Sequence, residues 1–319
     1  MIMSSLKGTP HAHSAADPAV TQKPAAEPLL SKPVLYKNQV LVLFYHNLQA
    51  DPTDGSKPEA LTASLFRDQM KNLKDGGYNV ITMEQLVNFE LNNKPVPANS
   101  VVITFDDGYE SFYNVAYPIL KEFGMTASVF IIGFSSDVFD PNALPHLSWD
   151  EMRELKENGM GIYNHTYNMH REVAINAKGT LQPALPNNIF LTNKKRVETA
   201  KEYDKRLISD LTFMEKRLDE ELGESPFRLL AFPYGAYNDK AIKAADQVGF
   251  SLYFNIKSGF NVPGQRVINR INAGDAGFTG KQLMKILKPY NQPGLFGKSY
   301  VEAVEISVTG VYKKIWQGA

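Results

Sequence analysis

The chain has 319 residues, 34 of them basic and 34 acidic, with 43% hydrophobic residues and no cysteine. A zero net charge excludes the long-range field that nucleic-acid or anionic-membrane binding relies on, and the missing thiols leave only His, Asp or Glu to hold any metal. No apolar run approaches the roughly 18 residues of a membrane span, and the opening MIMSSLKGTPHAHSAADPAV lacks the apolar core of an export signal.

Residues 1–33, rich in Ala, Pro, Ser, Thr and Lys without periodicity, read as a disordered leader or linker, with His11 and His13 as solvated linker histidines. QVLVLFY (39–45) is strand-like and is followed by a helix in which Phe66, Met70 and Leu73 share a face and Gly76 and Gly77 supply the stop. YNVI (78–81), VVITF (101–105) and TASVFII (126–132) continue the strand series. A helix with a Ser148 to Glu151 capping box and a Gly159 stop then precedes GMGIYN (159–164). Residues 171–197 read as a long loop, of the kind that forms binding elements or lids. RLLAF (228–232), a helix from Asn238 to Gly249, FSLYFN (250–255) and RVINRI (266–271) complete the alternation. Apolar strands alternating with helices imply a parallel sheet covered by helices, closed into an irregular (β/α) barrel over residues 34–293. The tail 294–319, with YVEAVEISVTGVY partly alternating, reads as an added strand or hairpin.

In such a barrel the loops after the strands gather at one rim, where active sites sit. The residues that follow the strands are Tyr45 and His46, then Asp106-Asp107-Gly108, then His165 and His170 in HTYNMH, then Pro233-Tyr234-Gly235, and Arg270 near the end of RVINRI. Two adjacent carboxylates repel, and a divalent cation relieves that repulsion. One Asp and two His supply three ligands with open positions, the pattern of a catalytic site, and the second Asp stays free as a base. Taken alone, Asp-Asp-Gly also fits a turn or helix cap, and either histidine a satisfied loop residue. The combination after strands points to metal hydrolysis.

TFDDGY (104–109), HTYNMH (165–170), FPYGAYN (232–238) and GFSLYFN followed by RIN together resemble the polysaccharide deacetylases of the NodB-homology type, carbohydrate esterase family 4, over roughly residues 39–275. The resemblance implies a distorted (β/α)7 barrel and metal-dependent N- or O-deacetylation of a glycan. It implies Asp107, His165 and His170 as metal ligands, Asp106 as the general base and the backbone N–H of Tyr234 as the oxyanion donor. Zinc is the first expectation for the metal, with cobalt, nickel or iron as alternatives.

Three departures qualify the pattern. The histidines are five apart rather than four, which would splay them by roughly 140° on a helix, so a loop is required. This spacing, with the early YH, is similar to the subgroup that deacetylates poly-β-1,6-N-acetylglucosamine. Ala231 stands where many members carry arginine, leaving Arg270 as the substitute partner for Asp106. The late histidine of the family is missing from RINAGDAG; His46 is the replacement expected to protonate the leaving amine, against a packed strand-end role, and His146 is read as structural. Tyr109, Phe112, Tyr163, Tyr167 and Tyr237 are candidates for stacking on sugars, or for packing. The expected partner is an acetylated glycan, with no nucleic acid and no transmembrane segment, the protein a monomer at the cell surface or outside it. A glycan-binding module that has lost catalysis, or an enzyme acting on acetyl-xylan, chitooligosaccharide or peptidoglycan, remain the alternatives.

Overall fold

Nine strands build the main sheet of the computed structural model, which describes residues 33–291. In chain order they are β1 (Val40–Tyr45), β2 (Asn79–Val80), β3 (Ser100–Phe105), β4 (Ser128–Ile131), β5 (Gly161–Asn164), β6 (Arg228–Ala231), β7 (Phe250–Phe254), β8 (Val267–Ile268) and β9 (Ile271–Asn272). Every pairing among them is parallel, and the hydrogen-bonded order is β8-β7-β6-β5-β4-β3-β1-β9. This is the distorted (β/α)7 barrel. The leader 1–33, but for Pro33, and the tail 294–319 lie outside the described residues, as do His11 and His13.

The two ends of that path are consecutive pieces of one stretch. RVINRI is not a single strand, as its sequence suggested, but two short ones: Val267 and Ile268 pair with Tyr253 and Phe254, and Ile271 and Asn272 pair with Leu43 and Phe44. One segment therefore serves both edges, with Asn269 and Arg270 at the crossing. YNVI contributes only the two residues of β2, which flank the start of β3 and stay off the barrel path.

The strands are near-continuous apolar runs because both faces are covered. In β1, Val40 and Val42 enter the cluster with Val102, Phe130, Leu252, Phe254 and Ile268 that fills the barrel. Leu41, Leu43 and Tyr45 point the other way, onto Phe66, Met70 and Leu73 of the helix Ala63–Asp75. Thr62 caps that helix by accepting from the N–H of Leu65.

Two regions depart from the sequence reading. The stretch 171–197 is not a structureless loop: Glu172–Ala174 pairs with Leu181–Pro183, and Phe190–Leu191 with Arg196–Val197, both antiparallel. Its Val173, Ala184 and Leu185 pack with Tyr203, Leu207 and Leu211 into a second apolar cluster. Those last three belong to a 23-residue helix, Ala200–Leu222, absent from the sequence reading and opened by a Thr199 to Glu202 capping box.

Candidate metal and hydrolytic site

The backbone leaves β3 through two consecutive left-handed residues, Asp107 at φ 72° and Gly108 at φ 79°. The turn is tight because Gly108 runs against β4: a Cβ there would lie 2.8 Å from Ile131 Cγ2. The N–H of Asp106 donates to the Tyr45 carbonyl and that of Leu147 to the Gly108 carbonyl, at 2.9 and 2.8 Å, so the turn is tied to its neighbours on both sides. Asp106 and Asp107 are both buried.

Asp106 faces Arg270, which has no accessible surface. The two terminal guanidinium nitrogens donate to the two Asp106 oxygens at 2.7 Å each, and Nε donates to the Asn255 carbonyl at 2.8 Å. The guanidinium lies over the rings of Phe44 and Phe130, at 4.9 and 5.7 Å, and so roofs the barrel interior. Burial alone would push the Asp106 carboxyl up; Arg270 first, then His165 and His46, outweigh it and hold the group below the usual carboxylate range. With alanine at 231, the charge reaches Asp106 from the seam of the barrel.

Asp107 faces two imidazoles. His165 Nε2 and His170 Nε2 each lie 3.3 Å from Asp107 Oδ1. His165 Nδ1 sits 2.9 Å from the Ala231 carbonyl, which only accepts, so Nδ1 carries a proton and Nε2 is the nitrogen turned towards Asp107. His170 is pushed down to about 4 by burial and by its proximity to His165, and its ring is neutral at physiological pH. His165 moves the other way: burial would lower it, but the Asp107 and Asp106 carboxylates raise it. Burial would also raise Asp107, yet the imidazoles of His165, His46 and His170 hold it below the ordinary carboxylate range.

Asp107 Oδ1 is buried and receives no hydrogen bond. An anionic oxygen in that state, 3.3 Å from two imidazole nitrogens, calls for a positive charge between them, which either a proton on His165 Nε2 or a cation supplies. A tetrahedral ion with bonds of about 2.0–2.2 Å separates its ligand atoms by roughly 3.3–3.6 Å. The two 3.3 Å separations meet that requirement, and all three ligand atoms lie within 4.8 Å of one another. The residues present fit a small divalent cation.

The five-residue spacing is accommodated by a turn, as the sequence required. Thr166 stands at φ 73°, costly for a β-branched residue, and swings the chain out of β5 so that the two rings meet with centroids 5.0 Å apart. Tyr234, at φ 59° in the turn after β6, lays its ring against His170 at 4.3 Å. His46 is exposed at the rim, its ring edge-on to Phe44, close enough for its charge to lower both aspartates.

The aromatic candidates separate. Phe112 is core, packed on Phe105 at 4.8 Å, and Tyr163 packs on Phe130 at 5.9 Å. Tyr237 stacks on Phe232, and Tyr167 packs between Phe134 and Phe213. Tyr109 stays at the rim beside Asp107, its ring 4.9 Å from that of His146. His146 thus reaches the site's edge, where burial lowers it and the Asp107 charge partly offsets the effect. Sequence reasoning missed Asn164, Asp210 and Glu215, which hold the histidine turn from behind; the Thr199 capping box was the signal for the helix that carries the last two.

A family model described as polysaccharide deacetylase matches residues 93–253. The poly-β-1,6-N-acetyl-D-glucosamine N-deacetylase of Escherichia coli K12 is 29% identical over 246 residues, 73% of this chain and 36% of that protein. The chain thus spans about a third of that relative's length. The protein of the same name from Staphylococcus aureus MRSA252 is 29% identical over 69% of this chain and 75% of its own length. Among solved structures, a de-N-acetylase from Aggregatibacter actinomycetemcomitans superposes with a TM-score of 0.70 at 30% identity, covering 78% of this chain and all of that one. The BpsB deacetylase domain from Bordetella bronchiseptica gives 0.65 at 25% identity, covering 74% of this chain and 96% of that one. The family match runs from ahead of β3 to one residue short of the end of β7 and takes in the aspartates, both histidines and Tyr234, and the fold agrees beyond it: this chain belongs to the polysaccharide deacetylase family.

Proposed function

We propose that the protein is a metal-dependent N-deacetylase acting on N-acetylglucosamine units of an extracellular polysaccharide, with poly-β-1,6-N-acetylglucosamine as the first substrate to test. The observation that carries this reading is the meeting of Asp107 Oδ1 with the Nε2 atoms of His165 and His170 at 3.3 Å, next to a second carboxylate held by Arg270. The names of the Escherichia coli and Staphylococcus aureus relatives support the choice of glycan. Asp107, His165 and His170 are the residues that would hold the cation, zinc first, with cobalt, nickel or iron as alternatives. When bound, the ion supplies Lewis acidity and lowers the pKa of water towards about 7.

The chain's own groups do the rest. Arg270 fixes both oxygens of Asp106 and keeps the carboxylate ionised, ready to take a proton from the attacking water. The new C–O bond forms at the acetyl carbonyl, and the Tyr234 backbone N–H stabilises the negative charge on its oxygen. His46, on the same rim, gives a proton to the amine nitrogen as the C–N bond breaks, which releases acetate and leaves a free amine on the sugar. Among the described residues no helix is long and apolar enough to cross a membrane, and a polysaccharide substrate places the protein at the cell surface or outside it.

The test is acetate release from poly-β-1,6-N-acetylglucosamine, chitooligosaccharide and acetyl-xylan, with and without chelator, for the wild type, Asp106→Asn and His170→Ala. Chelator-sensitive release from the first substrate, lowered at least a hundredfold in both variants, is expected. Glycan binding without chelator-sensitive release would make the chain a binding module, and full activity in both variants would overturn the assignment of the site.

A further inference from the structure

We infer that Asp210 is a positioning residue for the candidate cation site: from the helix behind the barrel, its carboxylate fixes the turn that brings His165 and His170 to one point. The inference rests on the reading of those histidines and Asp107 as cation ligands. Asp210 lies within the helix Ala200–Leu222. Its Oδ1 accepts the N–H of Tyr167 and its Oδ2 the N–H of Asn168, both at 2.9 Å. These two amides lie in the middle of the HTYNMH turn, between the ligands.

The turn needs such a clamp. Its first residue, Thr166, occupies an unfavourable left-handed conformation. The surrounding bonds explain how that is sustained: Asn164 Oδ1 accepts the Thr166 N–H at 2.6 Å, and Thr166 Oγ1 accepts the Met169 N–H at 3.1 Å. The carbonyls of Thr166 and Tyr167 accept from Gly133 and Phe134, at 3.2 and 2.8 Å. Of these partners Asp210 is the one that carries a charge, and both its oxygens are used, so the two bonds are charge-assisted and set the orientation of successive peptide planes. Burial raises the Asp210 carboxyl while the two amides favour its charged form.

The two histidines do not depend on the clamp equally. His165 sits at the end of β5, with its ring bonded to the Ala231 carbonyl and its N–H donating to Ile131. His170 is on the far side of the turn, its side chain still 20% exposed, and its placement follows the path of Tyr167 and Asn168. The clamp therefore acts mainly on His170. Asparagine at 210 keeps one acceptor oxygen but turns an amide NH2 towards the second backbone N–H, so it predicts an intermediate effect, between the wild type and alanine.

The test is Co2+ titration of the full chain, followed by the visible absorption of the bound ion and by competition with a chelator, for the wild type, Asp210→Ala and Asp210→Asn. Outer partners of metal ligands contribute roughly ten- to a hundredfold in affinity. We expect Asp210→Ala to weaken Co2+ by that factor and to alter the absorption band, and Asp210→Asn to fall between alanine and wild type. A merely structural role would lower the melting temperature of Asp210→Ala and leave affinity and spectrum unchanged, which overturns the proposal. If alanine prevents folding, Asp210→Asn decides alone on the same criteria. A wild type that binds Co2+ while both variants bind within twofold of it removes the clamp and leaves the cation site standing. A wild type that binds no Co2+ removes both.

Discussion

Removing Arg270 is the most informative single perturbation, because the structure allows its cost to be worked out. Its guanidinium is fully buried, pairs with both Asp106 oxygens at 2.7 Å and donates a third bond to Asn255. Arg270→Met leaves the Asp106 carboxylate buried beside Asp107 with no cation facing it, a change that costs about 3–5 kcal/mol in comparable pairs. Asp106→Asn alone strands the guanidinium instead and falls in the same range. The double variant has neither stranded charge, so its loss is smaller than the sum of the singles by about 2–3 kcal/mol. Urea unfolding of all four proteins at pH 7 measures the coupling. Since the folded fold depresses the Asp106 pKa, the stabilisation is present above the unfolded value and is lost as the pH falls through the folded one. The coupling must therefore shrink on acidification. In Arg270→Met the carboxyl rises, and the acid limb of the acetate-release profile expected under the proposed function moves to higher pH. Additivity of the single losses within about 0.5 kcal/mol, together with an unmoved acid limb, would refute the account.

Gly108→Ala should cost about 2 kcal/mol or more, because it combines a left-handed backbone with a Cβ 2.8 Å from Ile131 Cγ2; the urea midpoint drops with the slope unchanged. Glu215, pushed up to about 7 by burial, binds its proton more tightly in the folded chain than in the unfolded one. Stability is therefore lost as the pH rises from the ordinary glutamate range through about 7, and Glu215→Gln, which keeps an acceptor for Asn164, should gain about 2.5 kcal/mol on the wild type between pH 5 and pH 8 in urea melts. A pH-independent difference would show that Glu215 is ionised throughout.

What could be read from the sequence was what depends on local pattern. Asp106, Asp107, His165, His170 and Tyr234 all follow apolar runs, and parallel strands deliver their C-terminal ends to one rim whatever lies between them. The pairing of Arg270 with Asp106 was open to reasoning because Ala231 left a charge unanswered. The helix Ala200–Leu222 was missed even though Tyr203, Leu207, Leu211, Met214 and Leu218 mark its buried face, because so many charges crowd between them. Missing it hid Asp210 and Glu215, whose partners lie more than forty residues away and leave no local trace. The hairpins within 171–197 pair two or three residues each, too few for an alternation to emerge. Phe112 looked like a rim aromatic and is core: it opens the π-helical turn Phe112–Ala116 and packs on Phe105.

The crossing of one segment between both margins of the sheet ties assembly to competence. Until residues 267–272 dock, β7 and β1 lack these edge partners and Asp106 has no guanidinium to aim it, although Asp107 and both imidazoles follow strands that come earlier in the chain. Under the roles proposed above, a chain halted at that stage would have its cation ligands but an unaligned proton acceptor, so the proposed hydrolysis would switch on only with the last stitch of the barrel.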